Sequence, residues 1–324
     1  MEGTNPKVVV IGGAYIDIAI RCSQIPSAGQ KLAGTALSYA VTGPGPNQAV
    51  EVSLCGGTVH LISKVGDDPF GQMVKTVIAE HDINSDFVYT AKAKNTGAVV
   101  TLVDSAGGNA GLRYPGANTA LNPKEIDAAE TVIAEAGVCL IHGQLPQETI
   151  VNAIHLAKLH GTKVILNPER PTEYWRNGAG RNEDLPMEYF LADILIPNLH
   201  EAADITDQSH TDARDAKFIG SDLIARGVGA AVITMGKRGC MVVDRAGADH
   251  IPAFEIELID QAGRGDAFAG ALAAYCAVGG TVNIREAVKF ASAAGALACT
   301  KFGSIEAMPT RIEIIELLQK EDTK

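Results

Sequence analysis

The sequence is poor in aromatic residues and lacks a hydrophobic segment of membrane-spanning length. Of its 324 residues, 46% are hydrophobic but only 5% are aromatic, and there is a single Trp. No uninterrupted apolar run reaches about 18 residues, the length expected of a membrane span. The N-terminus leads directly into an apolar run without the pattern of a signal peptide, so we expect a cytoplasmic protein that does not bind membranes.

Basic residues are scarce relative to acidic ones. There are 27 Lys and Arg against 38 Asp and Glu, which gives a net charge of −11. A chain of this charge is repelled by nucleic acids and by anionic membranes, so we expect neither as a partner. A local basic pocket for a phosphorylated ligand is still compatible with this balance.

The residue spacings that bind zinc or form redox pairs are missing. None of the eight His residues has the H-E-x-x-H spacing, and no two of the six Cys residues form a C-x-x-C pair. Most of the cysteines lie in apolar runs, so we interpret them as reduced core residues. They are Cys22, Cys55, Cys139, Cys240, Cys276 and Cys299.

Ala, Val, Ile and Gly are abundant and form alternating strand and helix patterns. Lys7–Ile11 is apolar on both faces, which predicts a buried central strand, and from Gly137 strands and helices alternate. This alternation favours an α/β fold with a doubly wound, mostly parallel sheet flanked by helices. The other predicted strands are Val59–Val65, Val138–His142, Lys163–Leu166, Ile194–Ile196, Ala230–Met235 and Ile251–Ile259, and the predicted helices are Pro46–Cys55, Pro69–His81, Gln147–His160, Asp212–Arg226, Ala267–Ala274 and Arg311–Lys320, with a surface loop over 168–186.

Three shorter segments have a different pattern. Tyr15–Arg21, Lys31–Val41 and Gly97–Asp104 alternate partly between apolar and polar residues. This pattern is typical of strands with one solvated face, so we predict a second, smaller sheet.

Polar residues and glycines gather where the predicted strands of the large sheet end. They are Gly12-Gly13 followed by Asp17, Asn167-Pro168, Pro197-Asn198-Leu199-His200-Glu201, Gly236-Lys237-Arg238-Gly239 after Thr234, and the turn Asp260–Asp266. Ligands of doubly wound sheets bind beyond the carboxyl ends of the strands, so we expect one polar site at this edge.

The turn Asp260-Gln261-Ala262-Gly263-Arg264-Gly265-Asp266 is the most informative of these segments. Its glycines allow several N–H groups to point at one spot, and the helix that follows adds its own unpaired N–H groups. An anion beside Asp266 suits a base that removes a proton from a hydroxyl attacking a phosphate. The alternative interpretation is a tight turn in which Asp266 only caps a helix.

Seven motifs in this order resemble those of the ribokinase (PfkB-type) family of carbohydrate and nucleoside kinases. They are Gly43-Pro44-Gly45-Pro46-Asn47-Gln48-Ala49, Gly66-Asp67-Asp68-Pro69-Phe70-Gly71, Gly116-Ala117-Asn118, Asn167-Pro168, Pro197-Asn198-Leu199-His200-Glu201, Thr234-Met235-Gly236-Lys237-Arg238-Gly239 and Asp260–Asp266. The resemblance implies an α/β core over 1–14, 46–95 and 118–324, and a discontinuous lid over 15–45 and 96–117 that covers the sugar. It also implies ATP and Mg²⁺ as cofactors and K⁺ as an activator. A lid sheet would expose an apolar face if left alone, so we expect a homodimer that forms through the lid.

The resemblance also implies residue roles. Asp266 is the expected general base, and the backbone of Ala262, Gly263, Arg264 and Gly265 is the expected binding site of the transferred phosphoryl group. Asn198 and Glu201 are expected to organise Mg²⁺ through water, and Thr234, Gly236, Lys237 and Gly239 to line the nucleotide together with Asn167. Asp17, Gly43, Asn47 and Tyr15 are the expected sugar residues, and Asp260, Ala262, Ala298, Lys301 and Gly303 the expected ligands of a monovalent cation, mostly through backbone oxygens.

Departures from the motifs leave the substrate open. Tyr15 stands where ribokinase has Asn, Pro44 replaces the signature lysine, and Pro146 replaces a glutamate. These changes put D-ribose in doubt, and Tyr15 could stack on the base of a nucleoside. We therefore expect an ATP-dependent carbohydrate kinase. The alternatives are a nucleoside kinase and a non-catalytic metabolite sensor. A dinucleotide-dependent oxidoreductase is weakly supported because the G-x-G-x-x-G spacing is missing. Arg264, which replaces an alanine of the family motif, could face the phosphates or the solvent.

Overall fold

The computed structural model describes residues 6–169, 185–208, 214–278 and 282–322. Its strands are β1 (Lys7–Ile11), β2 (Tyr15–Arg21), β3 (Ala36–Thr42), β4 (Thr58–Gly66), β5 (Val88–Ala91), β6 (Gly97–Val103), β7 (Asn109–Tyr114), β8 (Val138–His142), β9 (Lys163–Asn167), β10 (Ile194–Leu195), β11 (Ala230–Thr234), β12 (Cys240–Asp244) and β13 (Gly247–Ile251). Its helices are α1 (Pro44–Leu54), α2 (Pro69–Glu80), α3 (Pro123–Asp127), α4 (Glu130–Glu135), α5 (Gln147–Leu159), α6 (Leu199–Thr206), α7 (Asp215–Ala225), α8 (Arg264–Cys276), α9 (Ile284–Ala298) and α10 (Arg311–Asp322). Within this part of the chain no helix has the length and apolarity needed to cross a bilayer.

The main sheet has the strand order β13-β12-β11-β10-β9-β8-β1-β4-β5. The strands β11, β10, β9, β8, β1, β4 and β5 are neighbours in this order and pair in parallel. The strands β12 and β13 are added beside β11 in antiparallel fashion. In the centre, Val8 and Val10 of β1 enter one hydrophobic cluster, whereas Val9 and Ile11 enter the cluster on the opposite face. Helices therefore cover both faces, and the predicted doubly wound α/β architecture is confirmed.

A separate four-stranded sheet has the order β3-β2-β6-β7. Its register places Asp17 opposite Ala40 and Val99, and Val99 opposite Arg113, so these side chains share one face. The predicted second sheet is therefore present, with β7 as an additional strand. Its strand β3 begins at Ala36 rather than at the predicted Lys31, since the ladder with β2 starts with the pair Ala36 and Arg21.

The predicted strand Ile251–Ile259 is wrong. The strand β13 ends at Ile251, and the run from Pro252 to Ile259 joins neither sheet. Pro252 has no N–H to donate to a ladder, and the alternating Phe254 and Ile256 belong to an extended segment without a partner strand. The turn before α8 is consequently not the end of a sheet strand, although Phe254 still packs on the core.

The predicted helices agree with the structure in position and differ mainly in length. Helix α8 begins at Arg264, three residues before the predicted Ala267, and α10 begins at the predicted Arg311. Ile314 of α10 is fully buried, but Ile312 is exposed, so only part of the expected apolar stripe faces the core. Most of the predicted loop 168–186 and the first residues of the predicted helix Asp212–Arg226 lie outside the described residues.

All six cysteines are buried and unbridged. Burial raises the pKa of the Cys139 thiol to about 12, because the thiolate would lose its hydration. The interpretation of the cysteines as core residues is therefore confirmed.

Candidate active site

A cavity of about 320 Å³ opens between the second sheet and the carboxyl ends of the main-sheet strands. Its volume is at the small end of the range found for metabolite pockets. Its lining residues are Tyr15, Asp17, Thr42, Gly43, Pro44, Asn47, Val99, Thr101, Arg113, His142, Gln144, Glu169, Ala262, Gly263 and Asp266. The structure thus brings together the four predicted sugar residues and three of the predicted catalytic residues, which are far apart in the sequence.

Asp266 lies in the first turn of α8, and both of its carboxylate oxygens accept hydrogen bonds from α1. The Asn47 amide donates to Oδ2 at 2.8 Å and the Gln48 amide donates to Oδ1 at 2.9 Å. The two helices approach closely because Gly270 has no side chain: a Cβ there would lie 2.7 Å from the Cβ of Glu51. Burial raises the pKa of Asp266, although the neighbouring His142 and the two amides favour the ionised form.

The backbone that precedes Asp266 forms an open N-terminus of α8. Gly263 immediately precedes the helix with a φ of 70°, and no side chain caps this terminus. Among the described residues, the N–H groups of Gly263, Gly265 and Asp266 have no acceptor. These unpaired donors and the positive end of the helix dipole are suited to an anion that reaches the cavity beside Asp266.

Asp17 projects from β2 into the same cavity. Its Oδ1 atom is buried and has no hydrogen-bond partner among the described residues. Burial raises the pKa of Asp17, which a hydrogen bond with Thr101 partly offsets. A buried carboxylate oxygen without a partner is costly, so its position indicates a ligand that donates hydrogen bonds, such as a sugar hydroxyl.

Gly43 fits its position only because it is a glycine. Its φ is 105°, and a Cβ would lie 2.7 Å from the Gly13 carbonyl oxygen and 2.8 Å from the Tyr15 ring. The β3–α1 connection therefore packs directly on the end of β1. This close approach places Asn47 one turn into α1, within reach of Asp266.

The ring of Tyr15 is packed into the structure rather than presented to a ligand. Only 2% of its surface is exposed, and the guanidinium carbon of Arg113 lies 5.9 Å from the ring centroid. Burial raises the pKa of Tyr15 to about 12, partly offset by the charge of Arg113. Its hydroxyl is buried without a hydrogen-bond partner in the described structure, and its ring has no open face on which a base could stack.

Four polar residues that the sequence analysis did not select form another wall of the cavity around Glu169. The carboxylate of Glu169 accepts a hydrogen bond from the Gln144 amide at 2.5 Å and pairs with Arg113 at 3.4 Å. His142 Nε2 lies 3.2 Å from its other oxygen. Burial opposes ionisation of Glu169, but the bonds from His142 and Gln144 and the charge of Arg113 prevail, and its pKa falls to about 2.

Strand ends could have revealed three of these four residues. His142 ends the predicted strand Val138–His142, Gln144 follows it, and Glu169 follows the next strand, β9. The two strand ends are held together by the bond from the Gly143 N–H to the Asn167 carbonyl, at 2.8 Å. Arg113 gave no such signal, because it lies on an exposed strand that the sequence pattern did not predict.

Apart from Asn167, which ends β9, the predicted nucleotide residues lie at the ends of β10 and β11. Asn198 pairs with Thr234, and the Thr234 N–H donates to the Pro197 carbonyl at 2.9 Å. Gly239 has a φ of 80°, and a Cβ there would lie only 2.1 Å from the Ile251 carbonyl oxygen. The turn from Gly236 to Gly239 therefore requires glycine, and it leaves the Lys237 side chain exposed.

Arg264 extends from α8 towards this turn. Its Nη1 atom lies 3.8 Å from the position that a Cβ of Gly236 would occupy, and it donates to Gln261 Oε1 at 3.4 Å. The guanidinium thus lies between the turn before α8 and the turn 236–239. A phosphate chain that ran from one turn to the other would pass close to it.

Asn198 and Glu201 form a capping box at the start of α6. The Asn198 N–H donates to Glu201 Oε2 and the Glu201 N–H donates to Asn198 Oδ1, both at 2.9 Å. Burial, together with nearby Glu169, raises the pKa of Glu201, although the Asn198 N–H lowers it. In the described part of the chain, no cluster of three or more His, Cys, Asp or Glu side chains could hold a metal by itself. Any divalent ion here would need oxygens from water or phosphate.

The residues predicted to surround a monovalent cation lie on two adjoining segments. Asp260 Oδ1 accepts from the Ala262 N–H at 3.1 Å, and Oδ2 accepts from the Gly303 N–H at 3.2 Å. Lys301 pairs with Glu313 at 3.0 Å, and Ala298 is the last residue of α9. The Asp260 side chain therefore fastens the turn before α8 to the segment after α9.

Comparison with known proteins assigns the chain to a family. The family model described as pfkB family carbohydrate kinase matches residues 5–311. The chain belongs to this family. The expected carbohydrate kinase function is thereby confirmed at the level of the family.

Relatives of the chain include several ribose kinases. The chain is 28% identical over 316 residues to the ribokinase of Mus musculus, covering 97% of this chain and 95% of that protein. It is 29% identical over 288 residues to the deoxyribokinase of Salmonella typhi, covering 88% of this chain and 91% of that protein. It is also 29% identical over 317 residues, 97% of its length, to the bifunctional ribokinase/ribose-5-phosphate isomerase A of Fructilactobacillus sanfranciscensis, but spans only 56% of that protein.

A solved structure supports the fold. The ribokinase of Arabidopsis thaliana, in complex with ribose and ATP, has a TM-score of 0.87 and 23% sequence identity. The match covers 98% of this chain and 99% of that one. The large parallel sheet and the small second sheet of this carbohydrate kinase thus follow the ribokinase architecture.

Proposed function

We propose that this carbohydrate kinase transfers the γ-phosphoryl group of ATP to a hydroxyl group of a sugar or polyol, with Asp266 as the general base. The observation that supports this most directly is the position of Asp266 between two amide donors and beside the uncapped start of α8. Two amides orient the carboxylate, and the open N–H groups bind the negative charge that develops on the phosphoryl group.

In the proposed reaction the acceptor hydroxyl gives its proton to Asp266 while its oxygen forms a bond to the γ-phosphorus. The bond between that phosphorus and the β–γ bridging oxygen breaks, and ADP leaves with the bridging oxygen. Asp17 positions the sugar by accepting hydrogen bonds from its hydroxyls, since one of its buried oxygens is otherwise unpaired. The N–H groups of Gly263 and Gly265 hold the phosphoryl oxygens.

The domains and the nucleotide residues complete the proposal. Residues 15–45 and 96–117 would act as a lid that excludes water from the phosphoryl group, because water competes with the sugar as acceptor. Thr234, Gly236 and Gly239 would line the nucleotide, with Asn167 at the neighbouring strand end. Arg264 and Lys237 would bind its phosphates.

Two metal ions belong to the proposal. Mg²⁺ bound with ATP would neutralise phosphate charge, and Glu201 and Asn198 would hold its water ligands, because a carboxylate and an amide are suitable oxygen donors. K⁺ would be bound mainly by backbone oxygens of Asp260, Ala262, Ala298, Lys301 and Gly303 and would order the turn before α8. The K⁺ site is tested by comparing thermal unfolding without substrates in KCl and in choline chloride: a rise in melting temperature specific to K⁺ supports it, and equal temperatures contradict it.

The enzyme assay measures ADP release with ATP and Mg²⁺ against pentoses, hexoses, polyols, sugar acids and nucleosides. Turnover of one sugar that is lost in Asp266→Asn, while ATP binding persists, supports the proposal. Turnover in Asp266→Asn within about tenfold of the wild type, equivalent to ~1.4 kcal/mol of barrier, would exclude Asp266 as the base. Turnover of nucleosides alone would favour a nucleoside kinase, and ATP binding without any turnover would favour a sensor.

The second sheet also suggests a homodimer. Its face opposite the cavity carries the aligned apolar residues Ile18, Ile20, Leu37, Tyr39, Val100, Leu102, Leu112 and Tyr114. The exposed fractions of Leu37, Tyr39 and Leu112 are 64%, 61% and 78%. We name this set the outer lid face. Apolar faces of this kind are rarely left in water, and the same face of a second copy would cover it.

A further inference from the structure

The ion pair between Arg113 and Glu169 joins the second sheet to the core across the cavity. Arg113 comes from β7 and Glu169 follows β9, and their charged groups lie 3.4 Å apart. Neither residue belongs to the seven motifs in the sequence. On the core side Glu169 is held by His142 and Gln144, and both are buried. The His142 side chain is 4% exposed and Gln144 is 5% exposed, so the carboxylate has a fixed position.

The described lining of the cavity carries more negative than positive charge. Among these residues, the three carboxylates of Asp17, Glu169 and Asp266 stand against the single guanidinium of Arg113. His142 Nδ1 accepts a hydrogen bond from the Gln144 N–H at 3.3 Å, so the Nε2 side of the ring faces Glu169. Glu169 thus balances the charge of Arg113.

A balanced guanidinium still donates hydrogen bonds, but it no longer attracts an anion. Arg113 has five N–H donors, of which the bond to Glu169 uses one. The neighbouring Tyr15 hydroxyl has no partner within the described chain. Together they can bind an uncharged oxygen of a substrate. A substrate carboxylate or phosphate would instead be repelled by Asp17, Asp266 and Glu169. Arg113 would not offset this repulsion, because its charge is already balanced.

We propose that Glu169 determines the charge specificity of the cavity: by neutralising Arg113 it makes the enzyme select uncharged sugars and reject sugars that carry a carboxylate or phosphate. The inference rests on the proposed kinase function of the same cavity. Glu169 acts through Arg113 and is a specificity-determining residue rather than a catalytic one.

The test compares each neutral sugar with the acid of the same carbon skeleton, such as D-ribose with D-ribonate and D-glucose with D-glucuronate. In Glu169→Gln the amide keeps the shape and leaves Arg113 unbalanced. We expect the ratio of kcat/KM for the acid to that for the neutral sugar to rise about tenfold, a Coulomb effect reduced for partial exposure. The double variant Arg113→Met/Glu169→Gln should lose this gain, because no unbalanced cation is left.

The control is Glu135→Gln, which removes the same charge from an exposed ion pair with Lys7. This pair lies at the amino end of β1, away from the cavity. It should leave the ratio unchanged. If circular dichroism shows that Glu169→Gln does not fold, Arg113→Met is used instead. It leaves the negative charge of Glu169 unbalanced, so the inhibition constant of the acid should rise about tenfold more than that of the neutral sugar.

Three results would overturn the inference: a wild-type preference for acids, an unchanged ratio in Glu169→Gln, or a gain that persists in the double variant. All three are separable from the proposed function, which would fail through absence of turnover. In that event the affinities of the wild type for the same pairs of sugar and acid are measured by calorimetry. Tighter binding of the neutral sugar supports the inference, and equal affinities for both members contradict it.

Discussion

Asp266 and its two amide partners show how single residues set the chemistry of the site. Burial raises the pKa of Asp266 above the usual aspartate value of 3.8, and the bonds from Asn47 and Gln48 act against this rise. A base accepts a proton only in its ionised form. Its activity is therefore present above its pKa and is lost as the pH falls through it.

We predict that the acid limb of the kcat/KM profile lies above the usual aspartate range. Asn47→Ala removes one bond that favours the carboxylate, so it should move the limb to higher pH as well as lower kcat. The control Asn84→Ala removes an amide that bonds to Asp86 on the surface and should leave the profile unchanged. A limb that stays in place in Asn47→Ala would mean that another group titrates.

Arg264 is the residue whose orientation the sequence left open. Because its guanidinium leans towards Gly236, we predict that Arg264→Ala raises KM for ATP about tenfold, as expected for the loss of a charged hydrogen bond to phosphate. The control is Arg245→Ala, in the exposed turn between β12 and β13. An unchanged KM in Arg264→Ala would show that the side chain faces solvent during turnover.

At the scale of the element, the start of α8 depends on two glycines for different reasons. Gly263 has a φ of 70°, and a Cβ would lie 3.0 Å from the Met308 methyl group, so Gly263→Ala is strained in the fold itself. A Cβ at Gly265 meets no atom within 4 Å, which is the open space where the phosphoryl group would sit.

We predict that the two alanine variants separate stability from activity. Gly263→Ala should lower both the melting temperature and kcat, with a cost of about 1–2 kcal/mol for the left-handed backbone. Gly265→Ala should keep the melting temperature and lower turnover, because its methyl group occupies the phosphoryl site. Full activity in Gly265→Ala would contradict the proposed location of the phosphoryl group.

At the scale of the whole molecule, the outer lid face predicts the oligomeric state. We expect light scattering to show a dimer at micromolar concentration. Leu112→Lys places a charge in the centre of the proposed contact and should yield a monomer. Leu159→Lys, on α5 and similarly exposed at 74%, is the matched control and should stay dimeric. A wild-type monomer at these concentrations would rule out the dimer.

The fold was predictable wherever local pattern and burial agree. Lys7–Ile11 and Val138–His142 were predicted with their observed bounds because apolar residues on both faces of a short run specify a buried parallel strand. The same logic failed for Ile251–Ile259, because alternation describes an extended segment and does not say whether a partner strand lies beside it. Strand β7 was missed for a related reason, since its six residues are exposed.

The sequence by itself determined the fold class, the family motifs and the residues that surround Asp266, because these depend on short runs and on glycines required by the backbone. Only the tertiary structure showed that Glu169 supplies a carboxylate to the cavity although the expected glutamate position holds Pro146. Only the tertiary structure paired Glu169 with Arg113, 56 residues away. The physical reason is that charge balance in a cavity depends on distances between strand ends and a facing sheet, and these distances are set by the packing of the whole chain.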